Sequence, residues 1–113
     1  MRMKKDWLIR NQAESKSGFT VELFGEMSAA PGWIGETHHH SFWEFIYIFS
    51  GQGLLTLPNQ VEHFQEGAIY IFPPMLPHRF QHNLSKENAG HLYVGFTILD
   101  GSMSFLLENC KLY

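Results

Sequence analysis

Four residues in this chain have the side chains and spacing to form a metal site: His38, His40, Glu44 and, further on, His78. Imidazoles with one carboxylate suit borderline transition metals such as zinc, nickel, iron, manganese, cobalt or copper. Calcium and magnesium prefer all-oxygen shells. Three imidazoles and one Glu would leave one or two positions open on a five- or six-coordinate ion, and a ligand or substrate would bind there. Without an ion the same residues would have to form a hydrogen-bonded polar cluster. A buried carboxylate among neutral imidazoles is costly unless protons are shared. The sequence leaves both arrangements open, with the balance toward a metal.

The segment that must position the first three residues runs from Gly32 to Gly51, and after His40 it is dense in aromatic and β-branched residues, as strands are. Alternate side chains of a strand share a face, so His38, His40, Phe42, Glu44, Ile46 and Ile48 are expected on one interior wall. The opposite face carries His39, Ser41, Trp43, Phe45, Tyr47 and Phe49, and it is too aromatic to sit in water uncovered. It is expected to meet a partner subunit or a C-terminal helix. From Gly67 to His78 the chain reads as turn, strand, proline-rich connection and a histidine opening another strand. Pro73, Pro74 and Pro77 cannot lie in a central strand, so they form a rigid link that presents His78 at a fixed angle. His78, Phe80 and His82 then share a face.

The spacing resembles the cupin superfamily. Gly32, His38, His40, Glu44 and Gly51 follow its first motif, and Gly67, Pro73 and His78 resemble its second. Met75 departs from the glycine usual at its position, and His82 or Asn83 lies near the usual asparagine. Within cupins, the Phe42-Trp-Glu-Phe-Ile-Tyr47 strand ending in Ser50-Gly-Gln-Gly53, the Pro73-Pro-x-x-Pro-His78 loop and the later Tyr93-Val-Gly-Phe96 are similar to the N-terminal effector-binding domain of AraC-type transcriptional regulators. The resemblance covers roughly residues 20–98 and implies an all-β jelly-roll barrel of two antiparallel sheets. It also implies metal ligands at His38, His40, Glu44 and His78 and a small effector, a sugar or related metabolite, in the barrel.

The rest of the chain agrees with that class. Its 113 residues make one domain, and 44% hydrophobic and 15% aromatic residues can fill a β interior without disulfides. The organisation expected is an N-terminal arm over 1–18, a barrel over 19–99 and a short C-terminal helix over 100–113, cut off from a longer protein. In the strand from Phe19 to Met27 the odd-numbered positions are expected to face inward. A single cysteine, Cys110, cannot form an internal bridge, and it has no base nearby to make it a nucleophile. The net charge of −3 and the lack of a basic cluster argue against nucleic-acid binding by this chain itself. No stretch approaches eighteen consecutive apolar residues, and no signal peptide opens the chain, so a cytoplasmic location without membrane contact is expected.

Other candidates weigh less. Phe42, Ile46, Phe80 and His82 are expected near a bound ligand, His82 as a hydrogen-bonding partner. His39 and His91 have the wrong parity for the pocket and His63 lies on a turn-flanked strand, so all three read as surface or structural histidines. Trp33, Trp43, Tyr47 and Tyr70 are expected to pack rather than to stack on a ligand. Arg79 reads as a solvated arginine. Two functions follow. One is an effector sensor, more a binding protein than an enzyme, a homodimer whose DNA contact comes through a helix-turn-helix module absent from this chain. The other is a stand-alone metal-dependent enzyme, an oxygenase or isomerase using zinc, nickel, manganese or iron.

Overall fold

The computed structural model describes residues 2–8, 18–82 and 88–99. Eight strands lie within them: β1 (Arg2–Leu8), β2 (Phe19–Ala29), β3 (Trp43–Ser50), β4 (Gln52–Leu57), β5 (Gln60–Gln65), β6 (Ile69–Phe72), β7 (Arg79–His82) and β8 (Ala89–Ile98). Every pairing is antiparallel, in a five-stranded sheet ordered β1-β2-β8-β3-β6 and a three-stranded sheet ordered β5-β4-β7. Among the described residues there is no helix. The helix expected over 100–113 lies outside them, as does Cys110. The arm expected over 1–18 contributes β1, paired with β2 from Arg2↔Ala29 to Leu8↔Leu23.

Alternation along the strands builds the core between the sheets. Ile46, Ile48, Tyr70, Phe72 and Tyr93 come from the larger sheet, and Leu55, Leu57, Phe64 and Phe80 from the smaller. Fully burying a side chain of this size contributes about 1.5–3 kcal/mol, so nine of them dominate the stabilisation. Tight turns close the strands. Gly67 takes a φ of 91°, a left-handed conformation that suits glycine, and its N–H donates to Ile48 O at 2.8 Å.

Two expectations about facing are corrected. In β2 the odd-in rule holds for Leu23 and Met27, which pack on the core. It fails for Phe19 and Val21, because the register shifts between Val21 and Leu23. A bulge there inserts one residue and flips the parity. Phe19 therefore pairs with Ile98 and Val21 with Phe96, on the outer face. The second correction concerns the long strand expected from Thr37 to Phe49. β3 begins only at Trp43, and Ser41 and Phe42 form a bend before it. The histidines thus precede the strand instead of lying in it.

The odd face of β3 does point outward, and it is partly covered. Trp43 is 5% exposed and stacks on Phe96, with ring centroids 6.5 Å apart at 19°. Phe45 and Tyr47 are half-buried and Phe49 is exposed.

Candidate metal centre

The site begins with a backbone cradle. Residues 33–40 run antiparallel to β7 and the proline loop. His82 N–H donates to Trp33 O at 2.8 Å and Gly35 N–H to Phe80 O at 2.9 Å, and Ile34 bridges Gln81. His38 and His78 then exchange two bonds, His38 N–H to His78 O at 3.0 Å and His78 N–H to His38 O at 2.9 Å. Met75 N–H reaches His40 O at 2.6 Å. The irregular segment is therefore held almost as a fourth strand of the smaller sheet, and it brings two of its three histidines, His38 and His40, against His78.

Their rings converge. Centroid separations are 4.4 Å for His38–His78, 5.0 Å for His38–His40 and 5.7 Å for His40–His78. One ring nitrogen from each lies within 4.8 Å of the others, so His38, His40 and His78 could hold a metal ion. Nitrogens this close can meet one ion at ~2.0–2.1 Å with small side-chain shifts. Nδ1 of His38 is 3.1 Å from Glu36 O, and Nδ1 of His78 is 2.9 Å from Leu76 O. A carbonyl only accepts, so each Nδ1 carries the proton and donates, leaving the Nε2 lone pair for the site.

Glu44 stands at the floor of this cluster, on the interior strand β3 between Phe72 of β6 and Gly95 of β8. Its Oε1 is 3.2 Å from His78 Nε2, and its Oε2 is 3.6 Å from His40 Nε2. Glu44 Oε1 and His78 Nε2 are both buried without a hydrogen-bond partner. With Nδ1 holding the His78 proton, two acceptors face each other across 3.2 Å. Such a pair needs a cation between or beside them, either a proton or a metal ion. Burial pushes the Glu44 carboxyl up, but a proton shared with His78 across the 3.2 Å gap and the positive charge carried by His40, His78 and His38 when protonated outweigh it. The net pKa lies below the ordinary 4.5. The donor set and the orphaned atoms fit a transition metal.

The cluster opens on a cavity of about 310 Å³ between the sheets, whose walls include Leu23, Met27, Trp33, Ile46, Phe80, His91 and Tyr93. Ile46 and Phe80, expected beside a ligand, line it. Phe42 does not. It stacks on the back of His40 at 4.9 Å and 5°, over Gly95, where any Cβ would strike its ring. His82 is buried with Nδ1 3.0 Å from Gln52 O, and it lines a smaller void of about 20 Å³ that shares Met27, Trp33, Phe80 and His91 with the cavity.

His91 corrects the sequence reading. Its partners across the sheet are Met27 and Ile48, both inward, so it enters the cavity and stacks on Phe80 at 5.0 Å. The sequence misleads here because the even residues Leu92, Val94, Phe96 and Ile98 are the more apolar set, and yet they face out. His39 and His63 are exposed, as expected, and Tyr70 packs in the core. Arg79 is half-buried, not solvated, with Nε buried and lacking a hydrogen-bond partner.

Two packed antiparallel sheets with a histidine cluster at the mouth of an interior cavity define a small β-barrel domain with a candidate metal site. The chain belongs to the cupin domain family, whose model matches residues 25–96. Solved structures with the same fold include a predicted oxalate decarboxylase from Thermotoga maritima, 18% identical over 85% of this chain and 81% of that one, with a TM-score of 0.64. A cupin domain from Bordetella pertussis is 19% identical over 85% and 93% of the two chains, with a TM-score of 0.63. Oxalate decarboxylase from Bacillus subtilis is 23% identical over 85% of this chain but only 27% of its own, with a TM-score of 0.65. At these identities the likeness is one of fold. Among curated proteins no sequence matches the chain. Among the described residues no helix is long and apolar enough to cross a membrane.

Proposed function

We propose that this cupin domain holds a divalent transition metal (zinc, nickel, manganese or iron) through His38, His40, Glu44 and His78, and binds a small metabolite beside it as the effector-sensing domain of an AraC-type regulator. The observation that carries the metal reading is the orphaned pair Glu44 Oε1 and His78 Nε2 beneath two further imidazoles. The metal, when bound, supplies a Lewis-acidic position for an oxygen or nitrogen atom of the ligand. The protein's own groups do the rest. Backbone carbonyls hold the His38 and His78 imidazoles in one tautomer, and Ile46 and Phe80 wall one side of the ligand space.

The sensor reading draws on the same strands. β3 and β8 place Glu44, Ile46, His91 and Tyr93 toward the cavity, and between them Phe45, Leu92 and Val94 on the outer face. A ligand that shifts the inner set by a few tenths of an ångström also shifts the outer set, one residue away. Leu92 is 41% exposed and its neighbour across β3, Ile69, is 53% exposed, so this apolar face suits a second copy in a homodimer. In such a protein the effector does no chemistry. It binds one arrangement of sensor and DNA-binding module better than the other, and DNA is contacted by a helix-turn-helix module outside these residues, in the cytoplasm.

One observation favours a second reading, a metal-dependent enzyme. His91 and Tyr93 share the cavity with the histidine cluster, so groups able to transfer protons are present there. The deciding experiment measures metal content of the wild type, His38→Ala and His78→Ala. It then screens metabolites by thermal shift, and any hit is followed for turnover. Near-stoichiometric metal lost in both variants is expected, with a ligand that stabilises the domain and is recovered unchanged. Metal-free wild type after supplementation would sink the metal reading. Conversion of the hit would replace the sensor with the enzyme.

A further inference from the structure

We propose that Phe42 is a positioning residue of the metal centre: lodged over Gly95 of β8, its ring fixes the plane of the His40 imidazole and with it the gap between His40 and Glu44. The inference rests on the metal reading given above. The His38 and His78 rings are aimed from their edges, where Nδ1 donates to Glu36 O at 3.1 Å and to Leu76 O at 2.9 Å. His40 is aimed from its face. The Phe42 ring lies parallel to it, with centroids 4.9 Å apart and planes at 5°, a favourable separation for stacked rings.

The seat for Phe42 comes from the larger sheet. Gly95 pairs with Glu44 on β3 and with Leu23 on β2, so it stands in the interior of that sheet. Its backbone is ordinary strand, without a positive φ, so conformation does not call for glycine. A glycine inside a strand commonly marks the close approach of another group. Here that group is Phe42, because a Cβ at position 95 would strike Cδ1 and Cε1 of its ring. A phenyl ring has no flexible tip. It yields only by turning or shifting as a unit, and the stacked imidazole must then follow it or lose the contact. Phe42 thereby links the two halves of the site. His38 and His78 are bonded to each other along the smaller sheet, whereas Glu44 belongs to the larger one. Phe42 rests on the residue opposite Glu44 and carries His40, whose Nε2 is 3.6 Å from Glu44 Oε2. Removing a group that orients a metal ligand from behind commonly weakens metal binding about 10- to 100-fold.

The test measures cobalt(II) affinity by competition with a chromophoric chelator, the visible spectrum of the bound cobalt, and the urea stability of the metal-free protein. The variants are Phe42→Leu, Gly95→Ala, the two combined, and His40→Ala with and without Phe42→Leu. Phe42→Leu keeps apolar bulk but offers no plane to stack on. It and Gly95→Ala are each expected to weaken cobalt about tenfold and to alter its spectrum. Their losses should not add in the combined variant, since the ring that a methyl group at position 95 would strike is gone. In the His40→Ala background, Phe42→Leu should change affinity less than about twofold, because it acts through His40. A merely structural role would lower urea stability and leave the affinity and spectrum of the folded protein unchanged. That result, additive losses, or an undiminished effect of Phe42→Leu without His40 would overturn the proposal. If Gly95→Ala does not fold, Phe42→Leu and its pairing with His40→Ala decide. Cobalt that is lost in His38→Ala and His78→Ala but held normally in Phe42→Leu leaves the metal reading standing and sinks the positioning role. Failure of the wild type to take up cobalt sinks the metal reading and this proposal with it.

Discussion

His38 and His78, forty residues apart in the chain, are joined backbone to backbone by two hydrogen bonds of 3.0 and 2.9 Å. The peptide groups, rather than an ion, set the spacing of these two imidazoles. Preorganisation of this kind means that little ordering is left to be done when a metal binds.

The metal-free domain should therefore stay folded and gain stability from zinc or nickel. At a free metal concentration a hundred times the dissociation constant the gain is about 2.7 kcal/mol, roughly 10 °C in Tm for a domain of this size. Differential scanning fluorimetry with and without chelator checks this. The shift should vanish in His78→Ala and His38→Ala. An unfolded chelated protein would mean that the cradle does not form without the ion.

Glu44 gives a pH signature to the metal-free protein. Its folded pKa is lowered below 4.5, so its stabilising contribution is complete above the unfolded value and is lost as pH falls through the folded one. Stability of the wild type minus that of Glu44→Gln should fall as pH drops below about 4.5. The amide introduced by Glu44→Gln can instead donate to the bare His78 Nε2, so this variant should match or exceed the wild type above that window while binding metal at least about tenfold more weakly. Urea denaturation across pH 3–7 reads the first effect and metal titration the second. A flat difference curve would count against an ionised, buried Glu44.

Met75 holds a φ of 67°, the only positive value among described non-glycine residues, while its N–H supports His40. The left-handed conformation costs about 1–2 kcal/mol for a residue with a Cβ. Met75→Gly removes that strain and adds back about 0.5–1 kcal/mol of unfolded-state entropy. Net stabilisation of about 0.5–1 kcal/mol is expected by urea denaturation, with metal affinity unchanged. Net destabilisation would show that the Met75 side chain, though exposed, packs usefully.

The convergence of His38, His40 and His78 was legible because two short motifs encode them locally, and the cradle brings the motifs together. The positions of Phe42, His82 and His91 were not. Phe42 falls at the bend before β3, where strand alternation has not begun, so its parity carried no information. His91 sits on a strand whose more apolar face, Leu92, Val94, Phe96 and Ile98, turns outward, and only pairing with Ile48 and Met27, far away in sequence, decides which face turns inward. The β2 bulge is likewise invisible to alternation, since it is one inserted residue in an otherwise regular pattern.

Association of two copies through the larger sheet can be tested apart from the metal. Leu92 and Ile69 both flank Tyr47 on its outer face. The variant with Leu92→Glu and Ile69→Glu should run as a monomer in sedimentation equilibrium, with metal content equal to the wild type. Dimers that persist unchanged would locate the contact elsewhere.

The run of residues 33–40 along β7 has a consequence beyond the histidines it delivers. Strand margins with free amides and carbonyls recruit other chains, and proteins guard them by covering them. Here Trp33, Gly35 and His38 occupy groups on Phe80, His82 and His78 that would otherwise face outward as a bare ladder. The segment that builds the pocket mouth therefore also shields the β7 edge of the smaller sheet from the strand-by-strand growth that leads to fibrils, so mutations that loosen the mouth should cost solubility as well as binding.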